Sequence, residues 1–208
     1  MGALKGSISY TKYYVDGELP HDFKVMFVER VQQFAFLPLT AEDEDEERTG
    51  WCSVEHPFDL DLDEHKVLFN EYLNLGLRTD KWRLPGALVK AHTTEAERAY
   101  LEEHKKQKIS KREKEDIKAV VEQKLKQQLL PTMKVVDVSW NLHRGELRFW
   151  TQSAKACEQF EEFFEQTFGM PLVLEAAYTS ALECELDDAQ LSWLEQIDAT
   201  TFHETVAV

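Results

Sequence analysis

Nine lysines and arginines crowd into one short window, Lys105, Lys106, Lys108, Lys111, Arg112, Lys114, Lys118, Lys124 and Lys126, against four acids, Glu113, Glu115, Asp116 and Glu122. A run of ammonium and guanidinium groups can displace counterions from a phosphate backbone, which is binding without regard to base sequence. The rest of the chain has the opposite balance, with 15 cations and 35 acids in a protein of net charge −15. Positive charge is therefore concentrated on one element, while the surrounding field repels a polyanion from most other approaches. The same pattern also suits a solvated helix face, because mixed Lys/Glu runs keep long helices soluble.

Other residue sets carry less chemistry. Asp59, Asp61, Asp63, Glu64 and His65 form the densest potential ligand set, with oxygens of the kind a divalent ion takes. Their spacing suits an exposed strand or loop, and the glycine and distal glutamate of an EF-hand are not in place, so neither a metal nor a cofactor is expected. Cys157 lies among phenylalanines, where a small packed thiol is expected rather than a nucleophile, since no base is near. Trp82 stands between Lys81 and Arg83, and an aromatic flanked by cations can stack on a base of a single strand. The plainer reading of Trp82 is a strand end facing solvent. No GxSxG, Walker A, GxGxxG or HExxH pattern is present, and the histidines are dispersed, so the chain is expected not to be an enzyme.

Composition bounds the rest. With 208 residues, 43% hydrophobic, including 12 Phe and 5 Trp, the chain can bury a proper core. Cys52, Cys157 and Cys184 are odd in number and lack CxxC spacing, which suits reduced thiols in a cytoplasmic protein. The start, MGALKGSISY, has no apolar run of signal-peptide length, and no stretch approaches the roughly 20 apolar residues of a membrane span. Acid is also segregated: Glu42 to Glu47 are six consecutive acids, and residues 179–208 hold seven acids with no Lys or Arg. Such blocks form solvated loops or tails, or less often a surface that occupies a basic partner.

Hydrophobic spacing places these residues on elements. A strand is expected over Ile8–Val15, ended by Gly17 and Pro20, then a helix with Phe23, Phe27, Val31 and Phe34 on one stripe. Val67, Phe69, Leu73, Leu75 and Leu77 alternate as a strand or bent hairpin half. After Pro85 two helices follow, their starts marked by Thr94 with Glu97 and by Ser110 with Glu113, both fitting the capping box. The second carries Ile117, Val120, Val121, Leu125 and Leu129 on its apolar face and ends before Pro131. A hairpin turning at Asn141–Gly145, a helix from about Ser153 to a Gly169 cap, and a strand over Met170–Tyr178 complete a ββαβ unit. The expectation is an α+β protein with antiparallel sheets packed against helices. Its parts are an α/β segment over 1–84, a helical segment with the long basic helix over 85–130, the ββαβ unit over 131–178 and an acidic tail over 179–208.

The order of these motifs resembles that of the recombination-associated RdgC family of bacteria. The resemblance rests on Phe34-Ala35-Phe36 with Pro38, Gly50-Trp51, Leu84-Pro85 before Val89-Lys90, and the Lys-rich helix closing at Leu129-Leu130-Pro131. It continues through the hairpin, Ser153-Ala154-Lys155-Ala156 and Met170-Pro171-Leu172-Val173-Leu174, so that collinearity spans about residues 8–178. Each motif alone is weak; their order carries the likeness. It implies a homodimeric ring that encircles double-stranded DNA without sequence preference, restrains the RecA recombinase and resides with the nucleoid in the cytoplasm. By position, Lys105 to Lys126 correspond to the Lys-rich helix, which is the element assigned to phosphate contact. The chain departs from the family in being shorter, which puts ring closure outside the expectation, and more acidic. A different function class follows from that acidity: a protein-interaction module on the same scaffold, with Glu42–Glu47 and residues 183–204 against a recombinase or other basic protein.

Overall fold

The computed structural model describes residues 2–3, 8–182, 184 and 186–197. Seven strands make one antiparallel sheet: β1 Thr11–Val15, β2 Glu47–Cys52, β3 Leu68–Phe69, β4 Tyr72–Lys81, β5 Thr132–Asn141, β6 Glu146–Phe149 and β7 Leu172–Leu174. Their order across the sheet is β2-β4-β5-β6-β1-β7, with β3 folding back on β4. β1, from the start of the chain, lies between β6 and β7 and so completes the C-terminal ββαβ unit. The chain is α+β.

Two helices, α1 Phe23–Gln33 and α5 Ala154–Phe168, cover one face of the sheet. The reason is the aromatic content of their inner stripes. Phe27 and Val31 of α1 and Phe160, Phe164 and Phe168 of α5 are buried against Tyr13, Trp51, Trp140 and Phe149 of the strands. Phe27 meets Trp140 at 5.2 Å and Phe168 at 5.1 Å, and Phe149 stacks on Phe160 at 4.1 Å, spacings at which aromatic pairs add to simple area burial. Trp51 Nε1 donates to Thr167 Oγ1 at 3.0 Å, so the indole's one polar atom is satisfied inside this core. α5 stops where the sequence predicts, with Gly169 in the left-handed region at φ 70°.

Between β4 and β5 the chain leaves the sheet as a helical hairpin, α3 Gly86–Glu103 and α4 Lys111–Gln128. β4 and β5 pair over ten residues, from Tyr72 with Asn141 to Lys81 with Thr132, so the segments before and after the hairpin share one sheet and one core. Two helix boundaries behave differently. Ser110 caps α4 in a full capping box with Glu113, as its sequence predicts. Thr94 does not start a helix: α3 begins eight residues earlier at Gly86, and the Thr94 hydroxyl donates to the Lys90 carbonyl within it. Pro85, extended at ψ 121°, is the true boundary, and a threonine inside a helix can satisfy its hydroxyl on the preceding turn.

Three further expectations change. The alternating run around Val67 opens with a short helix, α2 Glu64–Val67, and turns tightly at Asn70, which has φ 55°. The strand expected over Met170–Tyr178 ends at Leu174, because Thr179 Oγ1 accepts from the Ala176 amide and turns the chain into α6 Ala177–Leu182. The acidic C-terminal segment also contains α7 Asp188–Glu195, capped by Asp187 with Gln190. Residues 183, 185 and 198–204 of the proposed acidic surface lie outside the described residues.

Candidate nucleic-acid interface

The α3–α4 hairpin is held by a core of its own. Val89, Val121 and Leu125 are buried there, with Leu84, Leu88 and Ala96 packed around them, and none of these residues belongs to the aromatic core of the sheet. At its base, Gln123 donates to the Ala41 carbonyl and Lys126 lies 6.0 Å from the centre of the Trp82 ring. Trp82 is thus 8% exposed and covered by α4, so its indole is not offered to a nucleobase. Its position directly after β4 turns it toward the hairpin, where packing wins over display.

At the far end, the turn between the helices carries the densest positive charge. Residues 104–112 contain Lys105, Lys106, Lys108, Lys111 and Arg112 and no acid. The turn is fixed by Glu113, which accepts from the Ser110 amide at 2.8 Å, the Ser110 hydroxyl at 2.7 Å and the Tyr100 hydroxyl at 2.8 Å, and pairs with Lys106. Lys106 and these hydrogen bonds hold the Glu113 carboxyl well below the usual carboxylate range. The same carboxylate holds the Lys106 ammonium above its ordinary value. Lys105 sits at φ 52°, a left-handed residue that makes the reversal possible.

The nine cations do not share one face. Arg112 lies nine residues from Val121, half a turn away in angle, and so projects from the side opposite the helix core. Lys118 lines the groove on one flank of the helix pair with Gly86 and Thr94, while Lys124 lines the groove on the other flank with His92 and Ala96. Four of the nine are partnered: Lys106 by Glu113, Lys111 by Glu115 at 3.9 Å, Lys114 by Glu97 at 3.7 Å and Lys118 by Glu122 at 3.4 Å. Lys105, Lys108, Arg112 and Lys124 are exposed and have no carboxylate within ion-pair distance among the described residues. The charge available to a ligand is therefore concentrated at the hairpin tip, where three of those four stand.

Part of the acid-rich segments is ion-paired. Arg48 pairs with Asp43 at 3.0 Å and Asp45 at 2.9 Å, and Glu47 pairs with Lys81. Hydrogen bonds from Thr40 and Arg48 bring the Asp43 carboxyl down to about 2. In the Asp59–His65 set, Lys66 reaches Asp59 at 2.9 Å and Asp61 at 3.4 Å, and Asp63 caps α2 by accepting from the Lys66 amide. The Lys66 ammonium thus pairs with two of those carboxylates, and no three His, Cys, Asp or Glu side chains converge as a metal set among the described residues. Cys157 is half-buried with its Sγ 3.5 Å from Thr11 Oγ1.

Sequence spacing gave no sign of a second cationic grouping. Lys81, Arg83, Lys134 and Lys155, from β4, the residues after it, β5 and α5, line one groove on the sheet. Only the pairing of β4 with β5 and the placement of α5 over them bring these residues together. No helix among the described residues is long and apolar enough to cross a membrane.

A family model described as "Putative exonuclease, RdgC" matches residues 11–201 of the 208. No curated protein matches the chain.

Proposed function

Because the chain belongs to the RdgC family, we propose that it serves an RdgC-type role in recombination by binding double-stranded DNA without sequence preference, as a homodimer in the cytoplasm, through the α3–α4 hairpin. The supporting observation is the hairpin tip, where Lys105, Lys108 and Arg112 are exposed and unpaired among the described residues. Net charge does not oppose this. Screening at physiological ionic strength falls off over about 8 Å, so a phosphate at the tip responds to the nearest cations rather than to distant acids. Contacts of this kind carry no base readout, which is why the binding is non-specific. Restraint of a recombinase would follow from occupancy of the DNA and needs no catalytic group.

The proposal is that the chain acts without cleaving DNA. Incubation of end-labelled duplex with the protein and Mg²⁺ or Mn²⁺ is expected to leave the substrate intact; time-dependent shortening would overturn this part. Binding itself is tested by fluorescence anisotropy of a labelled duplex. Three phosphate contacts correspond to a loss of roughly 40-fold in affinity between 50 and 200 mM salt. Affinity unchanged across that range would remove the phosphate mechanism.

A second reading is favoured by α7, which is capped by Asp187, carries Asp188 and Glu195 and exposes Trp193 at 73%, with Ile197 just after it exposed at 72%. An exposed aromatic among acids suits a basic protein partner, such as a recombinase. Retention of a partner after nuclease treatment would support this reading, and loss of every partner would return the role to DNA.

A further inference from the structure

Among the described residues, half of the twelve cations outside the hairpin are neutralised where they stand. Lys12 pairs with Glu146 and Glu175, Arg48 with Asp43 and Asp45, Lys66 with Asp59 and Asp61, Arg78 with Asp80 in a buried pair, and Arg148 with Glu146. Six have no such partner, Lys24, Arg30, Arg83, Lys134, Arg144 and Lys155, and of these Arg83, Lys134 and Lys155 converge. They line one groove together with Lys81, and no carboxylate lies within ion-pair distance of the three among the described residues. The single acid in the groove lining, Glu47, is already paired with Lys81.

The sheet builds this groove in rows. Leu77 stands beside Val136 at its floor; the next row on the same face is Thr49, Thr79 and Lys134, and the next is Glu47, Lys81 and Thr132. Core-facing positions on these strands thus change from aliphatic to hydroxyl and then to charged side chains. α5 covers the aliphatic part and begins only at Ala154, so the polar rows stay open, with Ser153 and Lys155 on the groove's other wall. The space is about 200 Å³, large enough for a phosphate and part of its attached sugar and far too small for a duplex. Thr49 and Thr79 hydroxyls are 3.0 Å apart and present a short, fixed row of hydrogen-bonding groups between the cations.

We propose that this groove is a phosphate-group site, in which Lys134, Lys155 and Arg83 supply charge and the threonine row orients the anion. The hydroxyl pair flanked by cations suits a phosphate, because one threonine O–H is spent on the other hydroxyl, the second is free to donate to the anion, and the ammonium and guanidinium groups supply the charged donors. The site is separate from the hairpin tip and does not depend on it. Two sources offer the same chemistry, a nucleic-acid backbone and a soluble phosphate compound.

The test is an amide NMR titration of the full chain with a (dT) oligonucleotide and, separately, with inorganic phosphate at low ionic strength. Shifts at Thr79, Lys134, Ser153 and Lys155 with the oligonucleotide assign the site to a backbone. The same shifts with inorganic phosphate alone assign it to a soluble compound, and both results support the site. The double variant Lys134→Glu with Lys155→Glu, at exposed positions with no packing role, is expected to remove these shifts and weaken the responding ligand by at least tenfold. A hairpin variant with Lys105→Glu, Lys108→Glu and Arg112→Glu is expected to keep them. Groove amides unmoved by both ligands, in a wild-type chain whose spectrum shows it folded, would overturn the site whatever the hairpin does.

Discussion

The sheet and the hairpin spend their side chains differently. In the sheet, Tyr13, Trp51, Trp140, Phe149, Phe160 and Phe164 are all at most 1% exposed and pack into one continuous core. The hairpin of 18 and 18 residues buries only Val89, Val121 and Leu125. A region that packs so little leaves most of its surface available for a ligand, and it depends on caps and ion pairs for its shape. The contrast explains how an anionic protein can keep a cationic element in working order: the tip charges are held away from the body by two helices whose own cohesion is modest.

The comparison predicts a hierarchy of effects. Phe164→Ala removes a fully buried ring from the aromatic core and is expected to cost about 3–5 kcal/mol across the whole protein. A urea midpoint that barely moves would mean the sheet core is not the main source of stability. Leu125→Ala, in the hairpin, is expected to cost less, about 2 kcal/mol, and to act locally. Hydrogen exchange should accelerate over 86–128 and leave β4 and β5 protected; equal acceleration in the sheet would show that the two regions open as one.

Ser110→Ala removes the N-cap of α4 and is expected to loosen the hairpin by about 1 kcal/mol, read as lower helical content without a change in sheet signals. Smaller still is a pH effect at the tip. Glu113 is lowered in the folded state, so its contribution is complete above its ordinary value of 4.5 and is lost as pH falls from there toward the lowered value. Exchange protection in 104–113 should thus be flat from pH 6 to 8 and decline below the ordinary value, and Glu113→Gln should abolish that decline. Thiol reactivity marks the sheet side of the comparison. Burial pushes the Cys52 thiol up to about 12, whereas Cys184 is exposed, so a thiol reagent at neutral pH should modify Cys184 and spare Cys52 until the chain unfolds.

Local signals in the sequence carried well where a single turn or stripe decides the outcome. The Ser110–Glu113 box, the Gly169 cap, the Asn141–Gly145 turn and the Phe27/Val31 stripe all stand where their chemistry places them. Thr94–Glu97 has the same pattern as Ser110–Glu113 yet lies inside a helix, because a capping pattern is only a boundary when the chain before it is extended. The nine basic residues were legible as a cluster, but not their distribution: ion pairing with Glu97, which lies on the other helix, and the flanks occupied by Lys118 and Lys124 depend on how α3 packs on α4. The groove of Lys81, Arg83, Lys134 and Lys155 was not legible, since its members are distant in sequence and meet only through strand register.

The most direct test is the slope of log affinity against log salt for a labelled duplex, measured for the wild-type chain and for the Lys105→Glu, Lys108→Glu, Arg112→Glu variant. The account predicts salt-sensitive binding by the wild type and a slope smaller by about 3 in the variant, one for each phosphate that is no longer neutralised, with the circular dichroism spectrum unchanged. Equal slopes for the two proteins, or no complex with the wild type at the lowest salt, would contradict it.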